Sequence, residues 1–334
     1  MDNIALFYNN IYIYWHGIFM AASILIAVVV AMIFSAAVQN HRTRILTDTL
    51  LLALPLGLLL SRLLYCINNF GEEYFTIGSM LQLSEGGYVL YGAVFGALIA
   101  AWILKLRGRP GYDMWIACDS MAIGGSLGIV VGKMASYFSC DNIGIEITNP
   151  RFQFFPVAVY NAADGEWVLA VFTLEALFGA VIFGVLCYMF LRNNNEKKGM
   201  RGRHGDIALL FLLLHGAAQG IFDSMHMDAL KLPGNGFIRI QQILGAICLA
   251  VVMGVFVYRS VRKNRLRPYH IFFSAGTLEM IGLAAFMALD RISNTNWYHH
   301  HTIMFFSMLT AAVLGIIMYN TTIDRPNRQT DELS

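Results

Sequence analysis

Charge is scarce in this chain: only 13% of its 334 residues are Asp, Glu, Lys or Arg, and the formal net charge is +2. With 57% hydrophobic residues and a mean hydropathy of +0.58, it lacks the polar surface of a soluble domain and reads as a polytopic membrane protein. So small a charge excess gives no reason to expect a nucleic-acid partner. Cysteine is sparse too. Cys66, Cys118, Cys140, Cys187 and Cys248 show neither a CxxC pair nor metal-ligand spacing, and most lie in apolar runs, where cysteine acts as a small hydrophobe. Only Cys66 and Cys140 share a level at which a bridge could join them; free thiols are the expectation. No cleavable signal is evident, because the first apolar segment lacks a basic lead-in and a small-residue cleavage site, so it is expected to remain as a helix. No internal repeat relates the two halves, which weighs against a small-molecule transporter.

Apolar runs of spanning length are present at roughly 15–39, 45–66, 88–104, 113–138, 168–191, 206–225, 237–258, 268–290 and 302–319. The expected fold is therefore an all-α integral membrane protein, a polytopic helical bundle of about nine transmembrane helices. Basic residues follow every second run: Arg42 and Arg44; Lys105, Arg107 and Arg109; Arg192 to Arg203; Arg259 to Arg267; Arg325 and Arg328. The opposite loops hold only Arg151, Lys231 and Arg291. By the positive-inside rule the amino terminus lies outside and the carboxyl terminus in the cytoplasm. The loops at 67–87 and 139–167, rich in Gly, Asn, Asp and aromatics, are where a substrate-facing segment is expected. The 193–205 linker, NNNEKKGMRGRHG, is a solvated loop, and the tail from 321 to 334 is polar. His299, His300 and His301 read as a solvated tract rather than a metal site. No metal or cofactor is expected.

The stretch from Asp119 to Gly144 is long enough to cross a bilayer yet carries Asp119, Lys133 and a polar knot from Ser136 to Asn142. Ionisable groups at membrane depth are costly and face protein or a wet cavity. Arg62, Lys133 and Arg239 all fall toward the outer halves of their spans, where together they would make a cationic pocket for a phosphate-bearing headgroup. Asp141 and Asp223 are the acidic candidates at that level. These five residues could instead serve only as charge pairs between helices. Tyr91, flanked by the glycines of GGYVLYGAVFGA (86–97), sits at the same depth.

Those segments also carry a resemblance. GKMASYFSCDNIG (132–144), GGYVLYGAVFG, SRLLY (61–65) and FIRIQQIL (237–244) resemble, in order, the bacterial prolipoprotein diacylglyceryl transferases, and FPVAVYNAADGEW (155–167) resembles that family's clostridial branch. The resemblance covers about residues 10–258 and implies a seven-helix core within 1–260, an appended two-helix hairpin at 261–320, and the tail. It implies that the membrane is a bacterial plasma membrane, and it implies transfer of a diacylglyceryl group from phosphatidylglycerol to the lipobox cysteine of prolipoprotein signal peptides, with no cofactor. Lys133 stands where the family has an essential arginine, Ser136 an asparagine, Asp141 a glutamate and Gly144 a glycine. Tyr91 matches a His or Tyr position, His16 a tyrosine before glycine, Gln219 an arginine and Asp223 a glutamate. Catalytic roles are thus expected of Tyr91, His16, Lys133, Asp141 and Asp223, and lipid contacts of Arg62, Lys133, Ser136, Gly144 and Arg239. Because several of these side chains are shortened, a relative that binds phospholipid without transferring it is the alternative.

Overall fold

The structure, a computed structural model, describes residues 4–8, 11–38, 43–69, 78, 87–108, 111–193, 202–227, 231–232, 235–262, 267–290 and 297–322. Its helices are α1 (Trp15–Ala36), α2 (Thr43–Asn68), α3 (Leu90–Leu106), α4 (Met114–Met134) continued by the turn α5 (Ser136–Ser139), α6 (Val171–Asn193), α7 (Asp206–Phe222), α8 (Ile240–Arg262), α9 (Pro268–Asp290) and α10 (Trp297–Thr322). Helix is what a bilayer demands, since each backbone N–H and C=O must then be satisfied within its own segment. Among the described residues seven helices are long and apolar enough to span, while α3 and α7 are apolar but shorter, at 17 residues each. The nine expected runs are therefore all helical.

Glycine sets how the helices meet. A Cβ on Gly124 would collide with the Ala27 carbonyl of α1, and one on Gly128 would lie 2.9 Å from Ala27 Cβ, so the glycine face of α4 lies directly on α1. The second close seam joins α2 and α3. A Cβ on Gly92 would run into the Ser61 backbone, and one on Gly96 would come within 2.5 Å of Gly57 Cα.

The 139–167 segment is not a bare loop. Strands β3 (Ala158–Asn161) and β4 (Glu166–Leu169) pair antiparallel, and Glu146 bridges to Val168. Two further hairpins, β1 (Ile4–Tyr8) with β2 (Ile11–Tyr14) and β5 (Lys231–Leu232) with β6 (Asn235–Arg239), precede α1 and α8. Most of the expected 67–87 loop, of the basic linker and of the tail lies outside the described residues.

The main core is built from α6, α7, α8 and α10. Met308, Ala311, Ala312, Met318 and Tyr319 of α10 are buried in one cluster with Leu210, Leu213, Leu249 and Phe256. The C-terminal helix thus shares a core with the segment preceding residue 260. Asp119 does not face a substrate cavity; its carboxylate accepts from the backbone N–H of Gly205 at 2.7 Å and of Ala208 at 2.8 Å, capping the start of α7 from the neighbouring helix. Among the described residues, which include all five cysteines, no disulfide forms.

Candidate functional site

Opposite that capped end, α4, α6 and α7 enclose a polar cluster. Lys133, one turn before the glycine-rich part of α4 gives way to α5, places Nζ 2.6 Å from Glu175 Oε2 on α6. His226, in the turn after α7, brings Nε2 to 3.3 Å from the same oxygen. Glu175 and His226 are buried, at 5% and 4% exposure, so the Glu175 carboxylate lacks bulk water and depends on these partners. Lys133 also donates to Asn142 Oδ1 at 3.3 Å, and Asn142 Nδ2 donates to Ser136 Oγ at 3.0 Å. Ser136 therefore steadies the lysine through Asn142.

The backbone holds this arrangement from two sides. Met227 N–H donates to the Ile143 carbonyl at 2.9 Å, and Gly144 N–H donates to Leu169 at 2.8 Å. Gly144 is required by closeness: a Cβ there would stand 2.8 Å from Val171 Cγ2 and 3.2 Å from the Met225 carbonyl. The segment after Lys133 is thereby tied to the turn bearing Asp223 and His226.

Asp223 is 1% exposed, and among the described residues neither carboxylate oxygen has a hydrogen-bond partner. It feels the charges of His226, Arg239, Glu175 and Lys133, and Tyr91 feels the charge of Asp223. Tyr91 is itself fully buried with its hydroxyl unpartnered, its ring 5.9 Å from that of His215. A cavity of about 10 Å³, space for roughly one water, is lined by Lys133, Glu175, His215, Gln219, Ser126 and Ile129. Tyr91, Lys133, Asp223, Arg239, Gln219, Ser136 and Gly144 thus fall in one connected region. Arg62 is buried on α2 with its guanidinium 5.8 Å from the Tyr65 ring centre, and its neighbour Ser61 packs on Gly92, next to Tyr91.

Two expected site residues stand apart. Asp141 is exposed on the turn after α5, and the carboxylate that meets Lys133 is Glu175 instead. His16 Nδ1 lies 2.9 Å from Ser139 Oγ and 3.3 Å from the Ala135 carbonyl, at the edge of an open apolar groove shared with Tyr12, Tyr14 and Phe138. Glu175, His226 and His215 escaped the sequence reading. For Glu175 a signal existed: a carboxylate inside the apolar run VFTLEALFG carries the same cost that drew attention to Lys133. His301, from the expected solvated tract, contacts Ser224 on α10's inner side, while His299 is exposed.

Among the described residues, nine apolar helices and a buried cluster of paired charges and histidines define a polytopic membrane protein with a polar cluster in its interior. The model of the family described as LGT, prolipoprotein diacylglyceryl transferase, matches residues 3–258, and the chain belongs to that family. Relatives named phosphatidylglycerol–prolipoprotein diacylglyceryl transferase include one from Listeria monocytogenes serotype 4a, 22% identical over 81% of this chain and 94% of its own length. Those of Lactococcus lactis subsp. lactis and Finegoldia magna are each 26% identical, over 79% and 80% of this chain and 97% and 98% of their own. The chain is accordingly a multi-pass membrane protein of a bacterial transferase family.

Proposed function

We propose that this chain transfers the diacylglyceryl group of phosphatidylglycerol to the lipobox cysteine thiol of a prolipoprotein signal peptide, at the outer face of the plasma membrane. The observation that carries the reading is that the Lys133–Glu175–His226 cluster lies wholly inside the family-matched segment. The C–S bond of the thioether forms as the C–O bond to the phosphate breaks, and glycerol phosphate leaves. Lys133, Arg239 and Arg62 neutralise the charge gathering on the departing phosphate. The thiol must lose its proton, because the thiolate is the competent nucleophile. Asp223, whose buried carboxylate is unpartnered among the described residues, takes that proton, and the Tyr91 hydroxyl orients the thiol. Glu175 holds Lys133 and His226 in place, and Asn142 with Ser136 fixes the lysine from the other side. The amino terminus faces outward and the basic linker inward, so the 139–167 segment borders the signal peptide.

A second reading, phospholipid binding without transfer, has one observation in its favour: Lys133 is already neutralised by Glu175, and a lysine lacks the arginine fork that grips two phosphate oxygens. The two are separated by incubating purified chain with phosphatidylglycerol vesicles and a lipobox peptide, then weighing the peptide. A mass gain of one diacylglyceryl group and free glycerol phosphate establish transfer. Phospholipid retention with unmodified peptide establishes the alternative.

A further inference from the structure

The α9–α10 hairpin lies beyond the family-matched segment, which ends at residue 258. Yet α10 backs the helix that carries His215, Gln219 and Asp223. A Cβ on Gly220 would run into Met308 Cε, and one on Gly315 would come within 2.6 Å of Leu213 Cδ1, so α7 and α10 are in close register. Ser224, adjacent to Asp223 and 3% exposed, makes two contacts through one hydroxyl. Its Oγ is 2.6 Å from the Ile221 carbonyl oxygen and 2.9 Å from Nδ1 of His301 on α10. A carbonyl oxygen only accepts, so the hydroxyl proton goes to Ile221, and His301 Nδ1 must carry the proton that it donates to Ser224. One donor on the added hairpin therefore grips the turn that holds both Asp223 and His226.

We infer that His301 is a positioning residue for the site: its Nδ1–H bond to Ser224 sets the 223–227 turn so that Asp223 stays buried and His226 reaches Glu175. Among the described residues the turn's backbone bonds are Asp223 N–H to Gln219, Met225 N–H to Phe222 and Met227 N–H to Ile143. They fix its path but not the rotation of the side chains it presents. Misplacing a reacting group by about 1 Å can cost about a hundredfold in rate. The kinetic part of this inference rests on the proposed transferase activity; the structural part does not.

Asparagine offers an N–H at the position of histidine Nδ1, and glutamine offers one at the position of Nε2, so the two substitutions separate the donor from mere bulk. The full chain carrying His301→Ala, His301→Asn, His301→Gln or Ser224→Ala is assayed with phosphatidylglycerol vesicles and a lipobox peptide, and amide exchange over 219–227 is measured in each. His301→Ala, His301→Gln and Ser224→Ala should lower kcat by about ten- to a hundredfold, with KM for the lipid held within about twofold. Exchange at 223–227 should quicken in the same three, and His301→Asn should restore both readouts. Combining His301→Ala with Ser224→Ala should be no worse than either alone. Normal kcat and exchange in His301→Ala overturn the inference, as does a His301→Asn chain as impaired as His301→Ala. If the unaltered chain transfers nothing, the transferase reading falls, and the exchange of His301→Ala against His301→Asn still decides whether this bond sets the turn.

Discussion

Lys133 Nζ and His226 Nε2 converge on one oxygen of Glu175, at 2.6 Å and 3.3 Å. The carboxylate is buried, so Lys133 and His226 are what replace water around it. Lys133 therefore has a structural duty in addition to any contact with lipid, and substitution at either end of the pair tests both duties together.

Lys133→Ala leaves Glu175 with a single partner, and the expected destabilisation is about 3 kcal/mol, the scale of breaking a buried pair. Membrane abundance and transfer should both fall. Adding Glu175→Gln removes the stranded charge, so the double variant should regain abundance and stay inactive. Quantitative immunoblots of membranes beside the peptide mass assay give both numbers. A well-expressed, fully active Lys133→Ala chain would take the residue out of the site.

Gly92 follows Tyr91, and Ser61 precedes Arg62, so the α2–α3 seam sets the spacing of two site residues. Gly92→Ala puts a methyl group against the Ser61 backbone, which cannot step aside as a side chain could. A loss of about 1–3 kcal/mol is expected from such overpacking, together with loss of transfer. Gly184→Ala, where nothing lies within 4 Å of the added carbon, is the silent control. Thermal unfolding in detergent and the transfer assay compare them.

Orientation is decided by an impermeant thiol reagent on intact cells. Asp164 and His204, both exposed, lie in the 139–167 segment and in the basic connection before α7. In a background lacking Cys140, cysteine at Asp164 should label from outside and cysteine at His204 only after lysis. Labelling of the second in intact cells would reverse the topology.

A chain ending at Arg262 should insert and accumulate, because most of the face that α10 covers on α7 is apolar and lipid can take its place. Its transfer activity should fall at least as far as that of His301→Ala, since the donor to Ser224 is gone along with the helix that seats Gly220. Comparable membrane levels of the truncated and full chains would make the hairpin a functional addition. Failure of the truncated chain to accumulate would make it part of the folding core.

The positions of the helices, the alternation of basic loops and the family were legible in the sequence. Each is a property of local runs: a bilayer requires about 20 apolar residues whose backbone bonds close on themselves, and that needs no knowledge of a neighbour. The motifs around Tyr91, Lys133 and Gly144 could be read for the same reason, as short fixed spacings. What the sequence did not determine is which charge meets which. Asp119 and Lys133 lie on one helix and look alike as ionisable residues at depth, yet one caps α7 across 86 positions of chain and the other meets Glu175. Asp141, near Lys133 in the chain, is exposed, while Glu175 on another helix is its partner. Those pairings follow from which helix faces touch and how closely, and contacts such as Gly124 on Ala27 and Gly220 on Met308 are made only when the bundle has assembled.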